Sequence, residues 1–406
     1  MNLKLFLSSA FFLATVAGTL QAANLKDCVG LAAANSAAVK AYEEKLNASM
    51  AANERDRKAL LPQLSAAGEE GYSTYARQAG LEDGLTGKVG LQLNWDLAKV
   101  LAKYPRLSRL EADKARVLLT LAQKALARDV AKDYYQLHVL VGKKTDYAAA
   151  QDYFSSHIKD IERLRDQGLD VKLDLLRASI QLKSLAVSAA TIETDIAGAL
   201  LSLNSATGGK FETADLAFSD IPVPAGMETP AAGEAAPLEA RLDELETETA
   251  AENYRQSAYA YAPSLTFGVD RSVTPIDPAT ELYRTFLALN IGIFDFGQKA
   301  ADRKSLLAAS EFQRQTALDN RRKLLLAAAR LEGEIRNAAF ACRITALNLA
   351  DADKSLETAR DYYRQGKIKE TDLLTTASDY LGVKEQARDA LAQYLDKLAD
   401  LYYLKN

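Results

Sequence analysis

YRTFLALNIGIFDFGQK, residues 283–299, is the stretch on which the fold turns. Leu287, Leu289, Ile291 and Ile293 alternate there with Ala288, Asn290 and Gly292. A period of two is the mark of a strand with one apolar face. A twin stands earlier in the chain: in GKVGLQLNWDLAK, residues 87–99, Val89, Leu91, Leu93, Trp95 and Leu97 alternate with Gly90, Gln92, Asn94 and Asp96. With their partners these stretches define four expected strands, about 64–75, 86–97, 265–274 and 283–294. Pro62 and Pro263 stand just before the first and third, where a proline ends a helix without removing a ladder bond.

Outside these stretches the sequence reads as helix. The nine prolines leave 106–221 and 279–406 free of the strongest helix breaker. Within them apolar residues follow heptad spacing. One seam runs Leu324, Ala328, Leu331, Ile335, Ala338, Cys342, Thr345, Leu349, and another Leu182, Leu185, Ala189, Ile192, Ile196, Ala199, Leu203. Spacing of this kind, with charges at the other positions, means helices packed side by side. The segments Lys99 to Gln167 and Gln298 to Gln365 hold 69 and 68 residues. Each would extend roughly 100 Å at about 1.5 Å per residue, too long for a globule. Flanking helices are expected at about 25–60 and 173–206.

The chain is also an internal duplication. Leu61-Pro62-Gln63-Leu64 recurs as Ala262-Pro263-Ser264-Leu265 and Trp95-Asp96-Leu97 as Phe294-Asp295-Phe296. Asp166-Gln167-Gly168 with Asp174-Leu175-Leu176 recurs as Arg364-Gln365-Gly366 with Asp372-Leu373-Leu374. The offsets are 201, 199 and 198, as expected of one unit copied twice. The domain reading is a signal peptide over 1–22, a first repeat over 23–207, a linker over 208–237 and a second repeat over 238–406. The first repeat carries a β-hairpin at 64–97 and a helical hairpin with its tip near 168; the second has a β-hairpin at 265–294 and its tip near 366.

The signal peptide rests on Lys4, the apolar run from Leu5 to Leu20 and the small residues Ala22 and Ala23. No later stretch has 18 consecutive apolar residues, so any spanning of a membrane falls to the strands. A net charge of −4 with interspersed acid and base gives no nucleic-acid surface. The two cysteines, Cys28 and Cys342, make no disulfide scaffold, and the second falls in a heptad seam where a buried thiol is expected. His138 and His157 are expected on helix surfaces, with no partner at metal-ligand spacing. No nucleophile elbow, P-loop or dinucleotide fingerprint occurs; the chain reads as no enzyme and requires no cofactor and no metal.

Four strands cannot close a barrel, and an open edge in hydrocarbon costs several kcal/mol per unpaired group. Several copies must then share one barrel, and three copies would give a twelve-stranded one with room for a lumen. Leu91, Leu93, Leu287, Leu289, Ile291 and Ile293 are the expected lipid-facing residues, and Gln92, Asn94, Ala288, Asn290 and Gly292 the expected lining. Trp95, Tyr283, Phe286 and Phe294 are expected in aromatic girdles. Adjacent Glu69 and Glu70 put one carboxylate outward unless a bulge or a headgroup position relieves it.

These landmarks together resemble the TolC-like outer-membrane efflux proteins over the whole mature chain. The specific elements are the duplication, the Phe294-Asp295-Phe296-Gly297 run, and the paired motifs Gly168 with Asp174-Leu175-Leu176-Arg177-Ala178 and Gly366 with Asp372-Leu373-Leu374-Thr375-Thr376-Ala377. The resemblance implies a mainly α fold with a transmembrane β-barrel: a homotrimer in which a 12-stranded barrel continues into a long coiled-coil tunnel across the periplasm. It also implies an outer-membrane location, a passive conduit for efflux or type I secretion, and partners in a periplasmic adaptor (membrane fusion protein) and an inner-membrane transporter. Carried over by position, Gly168, Leu169, Gly366 and Lys367 would face the adaptor, and Asp174 and Asp372 would lie near the periplasmic gate. An aspartate there is also a good helix-capping residue. After Trp95-Asp96-Leu97 the first repeat departs from the pattern, with Ala98 where the second has Gly297. The rival reading is a periplasmic coiled-coil scaffold that never enters the membrane.

Overall fold

The structure is a computed structural model that describes residues 23–77, 80–102, 104–167, 171–218, 221–222, 238–259, 262–273, 282–290 and 295–404, by backbone alone at 69–88, 97–98, 272–273 and 282–283. The expected signal peptide over 1–22 lies outside these residues, as do Gly168, Leu169, Ile291 and Ile293.

Eight helices and four strands alternate along the described chain: α1 (Leu25–Asn35), α2 (Ala37–Lys58), β1 (Gln63–Arg77), β2 (Gly80–Asp96), α3 (Leu97–Leu101), α4 (Pro105–Asp166), α5 (Lys172–Thr207), α6 (Leu238–Gln256), β3 (Ser264–Val273), β4 (Leu282–Asn290), α7 (Gln298–Arg364) and α8 (Glu370–Leu404). The four strands form one antiparallel sheet in the order β1-β2-β3-β4. The second hairpin thus pairs with the first through β2 and β3.

Two expected helices are broken by identifiable residues. The segment 25–60 divides at Ser36, whose extended backbone (ψ 120°) and hydroxyl, accepting from the Val39 N–H at 3.3 Å, cap α2. The first long helix begins at Pro105 rather than Lys99, after the short α3. Proline suits a first helical position because its missing N–H would have no partner there. From that start α4 runs 62 residues, and α7 runs 67.

The two strand-to-helix junctions differ in their backbone. In the second, Asp295 accepts from the N–H groups of Gly297 (3.1 Å) and Lys299 (3.0 Å), while Phe296 and Gly297 take positive φ of 55° and 85°. A left-handed pair of that kind favours glycine. In the first, the helix begins directly at Leu97, and Asp96 accepts from the Lys99 N–H at 3.4 Å. Ala98 replaces glycine because the backbone there is already helical.

The described chain falls into two compact units. One draws its described residues from Met1–Ala34, Val130–Val223 and Asn348–Ala392; the other draws them from Asn35–Asp129, Pro224–Leu347 and Gln393–Asn406. In the first unit the α5 seam is sunk: Leu185, Ile192, Ile196, Ala199 and Leu203 are buried and Leu182 and Ala189 half-buried. In the second, α7 turns Leu331, Ile335 and Ala338 inward and leaves Leu325, Leu326 and Phe340 exposed. Cys28 is fully buried, Cys342 only half-buried, and both are free thiols. Burial, followed by the Asp27 charge, pushes the Cys28 thiol up to about 11.

The segment expected as a linker is ordered at its start. Gly208 caps α5 at φ 65°, Asn204 clamps the Phe211 backbone with bonds of 2.7 and 3.0 Å, and Leu216 bridges to Ala23. Phe218 then packs on Tyr134, whose hydroxyl donates to the Ala217 carbonyl. A connector with aromatic anchors and side-chain clamps is held in place by burial; residues 223–237 lie outside the description. By length and hydropathy α5 could cross a membrane. Its apolar residues instead divide between the buried seam and an exposed second stripe at multiples of seven residues, Leu173, Ile180, Val187 and Leu201.

Candidate functional site

The sheet separates two surfaces by register alone, since successive residues of a strand point to opposite faces. Leu91 pairs with Val269, Leu93 with Phe267 and Trp95 with Leu265; Leu265 and Phe267 pair in turn with Leu289 and Leu287. With Leu64, Ala66 and Val89 these make an apolar face, which gives way at its far end to Thr285, paired with Val269, and Arg271, paired with Val89. It is open: Leu64 is 71% exposed, Val89 69% and Leu287 67%. Leu91, Leu93 and Leu289 are exposed beside them.

The opposite face carries Ser65, Gln92, Asn94, Thr266, Asp270, Arg284, Ala288 and Asn290, together with Gly90 and Gly268. Asn94 donates to the Ser65 hydroxyl at 3.2 Å, and that hydroxyl donates to the Gln92 carbonyl at 3.3 Å. Phe286 belongs to this face and not to a girdle: it pairs with Gly268, and its ring lies in the space a side chain there would fill. Parity decided this, since Phe286 precedes the apolar Leu287 by one residue. Phe294 is outside the described residues. Trp95 ends the apolar face and donates its indole N–H to the Leu60 carbonyl at 3.0 Å, an apolar ring with its polar edge tied to the end of α2.

The β1–β2 register runs without a bulge from Gln63↔Asn94 to Arg77↔Gly80, so no bulge relieves the Glu69–Glu70 pair. At 15 and 17 residues these strands also exceed the expected length. The register pairs Glu69 with Lys88 and Glu70 with Gly87, so that by parity Glu70 is the one in step with Leu64 and Ala66.

At the helical hairpins only the second turn is fully described. Gly366, at φ 68°, follows α7; the Lys367 N–H reaches the Tyr362 carbonyl (2.8 Å) and the Gly366 N–H the Tyr363 carbonyl (2.9 Å). This pair of bonds is the Schellman motif that satisfies the last carbonyls of a helix. Lys367 also holds its ammonium 5.4 Å from the Tyr362 ring. Asp372, exposed in the first turn of α8, accepts from the Lys369 N–H at 3.3 Å, which is half of a capping box. Asp174 occupies the first turn of α5 and faces Arg177 at 3.8 Å. Both aspartates therefore complement a helix N-terminus in this chain, whatever else they do.

Beside this turn lies a cluster that sequence spacing did not find. His157 is buried, not on a surface, and its Nε2 meets Glu370 Oε1 at 2.6 Å. Tyr153 stacks on the imidazole, the Arg360 guanidinium sits 4.3 Å over the Tyr153 ring, and Tyr363 meets His157 edge-on. Burial, then the charge and hydrogen bond of Glu370, push the Tyr363 hydroxyl far above its ordinary range. The partners come from α4, α7 and α8, and His157 and Glu370 lie 213 residues apart, so no local motif could announce them.

Further along the same pair of helices, α4 and α8 are joined by charge. Asp146 accepts from Lys384 (3.0 Å) and Arg388 (2.9 Å), and Lys143 donates to Asp389 at 2.6 Å. Gly142 makes room: a Cβ there would fall 2.7 Å from the Arg388 guanidinium. Burial works to raise the Asp146 carboxyl, but the bonds and charges of Arg388 and Lys384 outweigh it and hold it below the usual carboxylate range. Desolvation and the bond to Glu385 push the Tyr147 hydroxyl up to about 12. Among the described residues no group of three or more His, Cys, Asp and Glu side chains could hold a metal ion.

Comparison with known proteins accords with this geometry. Residues 28–209 and 241–406 match the family described as outer membrane efflux protein. A membrane protein from Pseudomonas aeruginosa has a similar structure, with a TM-score of 0.81 at 15% identity over 94% of this chain and 92% of that one. The outer membrane protein VceC from Vibrio cholerae is similar with a TM-score of 0.76 at 16% identity, over 93% of this chain and 94% of its own. The open-state outer membrane channel MtrE from Neisseria gonorrhoeae gives 0.68 at 15% identity over 94% and 88%. No curated protein matches the sequence. The family match covers most of the chain, and the chain belongs to the outer membrane efflux protein family and is a protein of the outer membrane.

Proposed function

We propose that three copies of this chain form one passive conduit, a shared twelve-stranded barrel in the outer membrane continued by a helical tunnel in the periplasm. One observation carries the reading: a four-stranded sheet with one open apolar face and one polar face. Water penalises such an exposed apolar face and lipid does not. Hydrocarbon in turn forbids the outer edges of β1 and β4 unless neighbouring copies pair with them. Twelve strands leave the polar faces around an aqueous bore. The exposed stripe Leu173, Ile180, Val187 and Leu201 on α5 supports helix packing between copies in the tunnel.

On this reading the chain divides into two repeats, 23–207 and 238–406, with 208–237 between them. Gly168, Leu169, Gly366 and Lys367 meet a periplasmic adaptor, itself coupled to an inner-membrane transporter that supplies the energy. Asp174 and Asp372, three copies of each, stand near the periplasmic gate. The Schellman turn at Gly366 supports a presented tip, and the buried His157–Glu370 pair supports a hairpin end held in one conformation. Native mass spectrometry of the detergent-extracted protein tests the assembly. A mass of three chains is expected, and a stable monomer would contradict it.

A further inference from the structure

Resting on that reading of the polar face as the bore, we propose that Arg284 is a specificity-determining residue: a ring of three guanidinium groups in the outer part of the barrel favours anionic solutes.

Among the described side chains of this face, Asp270 and Arg284 are the charged pair, apart from Asp96 at the helix junction. The two pair across β3 and β4, with Arg284 Nη2 2.9 Å from Asp270 Oδ2. They are not equally presented: the Asp270 side chain is 13% exposed and that of Arg284 63%. The asymmetry is built by two glycines. A Cβ on Gly90 would fall 2.2 Å from Asp270 Oδ1, so the carboxylate lies across a hollow that any side chain at 90 would close. A Cβ on Gly268 would fall 2.4 Å from Phe286 Cζ, so the ring lies in a second hollow. The Arg284 guanidinium sits 4.8 Å over that ring, where cation–π attraction holds it flat. The pair is neutral in sum and oriented in space, with the negative end recessed in the wall and the positive end facing out. A guanidinium carries five N–H donors in a planar fork suited to carboxylate and phosphate oxygens. Arg284 is six residues from Asn290, roughly 20 Å along the strand from the helical side, close to the start of β4. Rings of Arg or Lys serve anion pores in this manner.

The test uses the full-length protein in planar bilayers under a potassium chloride gradient, with chloride-to-potassium permeability as the readout. Arg284→Gln removes the presented charge and exposes Asp270, so the ratio should fall about threefold, the effect of about one kT of local potential. Asp270→Asn leaves the guanidinium unneutralised and should raise the ratio. Arg284→Lys keeps the charge and should stay near the unchanged chain. A merely structural role would move Gln and Asn variants in the same direction or not at all, and either result overturns the proposal. If the unchanged chain forms no pores, the conduit reading falls and this inference with it; pores of unaltered selectivity in all variants overturn this inference alone.

Discussion

Leucine does opposite things in the two regions of this molecule. Along α5 the seam is buried, and Leu203 has no exposed surface; on β4, Leu287 is 67% exposed beside Leu289 at 56%. Composition does not distinguish these residues, and neither does hydrophobicity. What differs is the periodicity that carries them. A 3.5-residue repeat gathers side chains into a stripe that a second helix can cover, whereas a two-residue repeat spreads them over a sheet face that nothing among the described residues covers. The α5 seam is covered within the chain, whereas the sheet face, like the second stripe of α5, leaves its apolar surface to its surroundings.

Truncation gives the largest contrast. Leu203→Ala should destabilise the helical unit by about 2–5 kcal/mol, the usual cost of a buried leucine, read as a lowered urea midpoint. Leu287→Ala should leave that midpoint nearly unchanged, and equal losses at the two positions would erase the distinction between the regions. Charge sharpens it from the other side. Leu289→Arg should cost about 2–4 kcal/mol if the residue meets lipid near the midplane, seen as a fall in the outer-membrane fraction. Normal insertion of that variant would remove lipid from the apolar face. Smallest is the strain of Gly366→Val, about 1–2 kcal/mol at a left-handed turn. Adaptor cross-linking should be lost while insertion persists, and loss of insertion would refute the placement of that turn at the adaptor end.

Much of this was legible in the residues themselves. The alternation around 287 and 91 and the heptads through Ile335 and Ile196 each describe one element's own faces, and each face appears where its period puts it. The Asp295-Phe296-Gly297 run was legible as a landmark, although only the backbone explained it: a capping carboxylate followed by two left-handed residues. Boundaries were less visible. Ser36 and Pro105 redirect the chain through local capping chemistry that competes with the helical propensity around them. Phe286 shows how parity overrides composition, since an aromatic one residue out of step faces the other way. The His157–Glu370 pair was not legible at all. Spacing reports neighbours along one element, and this contact joins two elements 213 residues apart.

The most direct test uses Trp95, the single tryptophan of the chain, at the end of the apolar face with its indole bonded to Leu60. Fluorescence of the reconstituted protein should be quenched by lipids brominated on their acyl chains close to the headgroup, and hardly by aqueous iodide. Strong iodide quenching with no response to brominated lipid would mean that the sheet does not meet the membrane, and the account would fail.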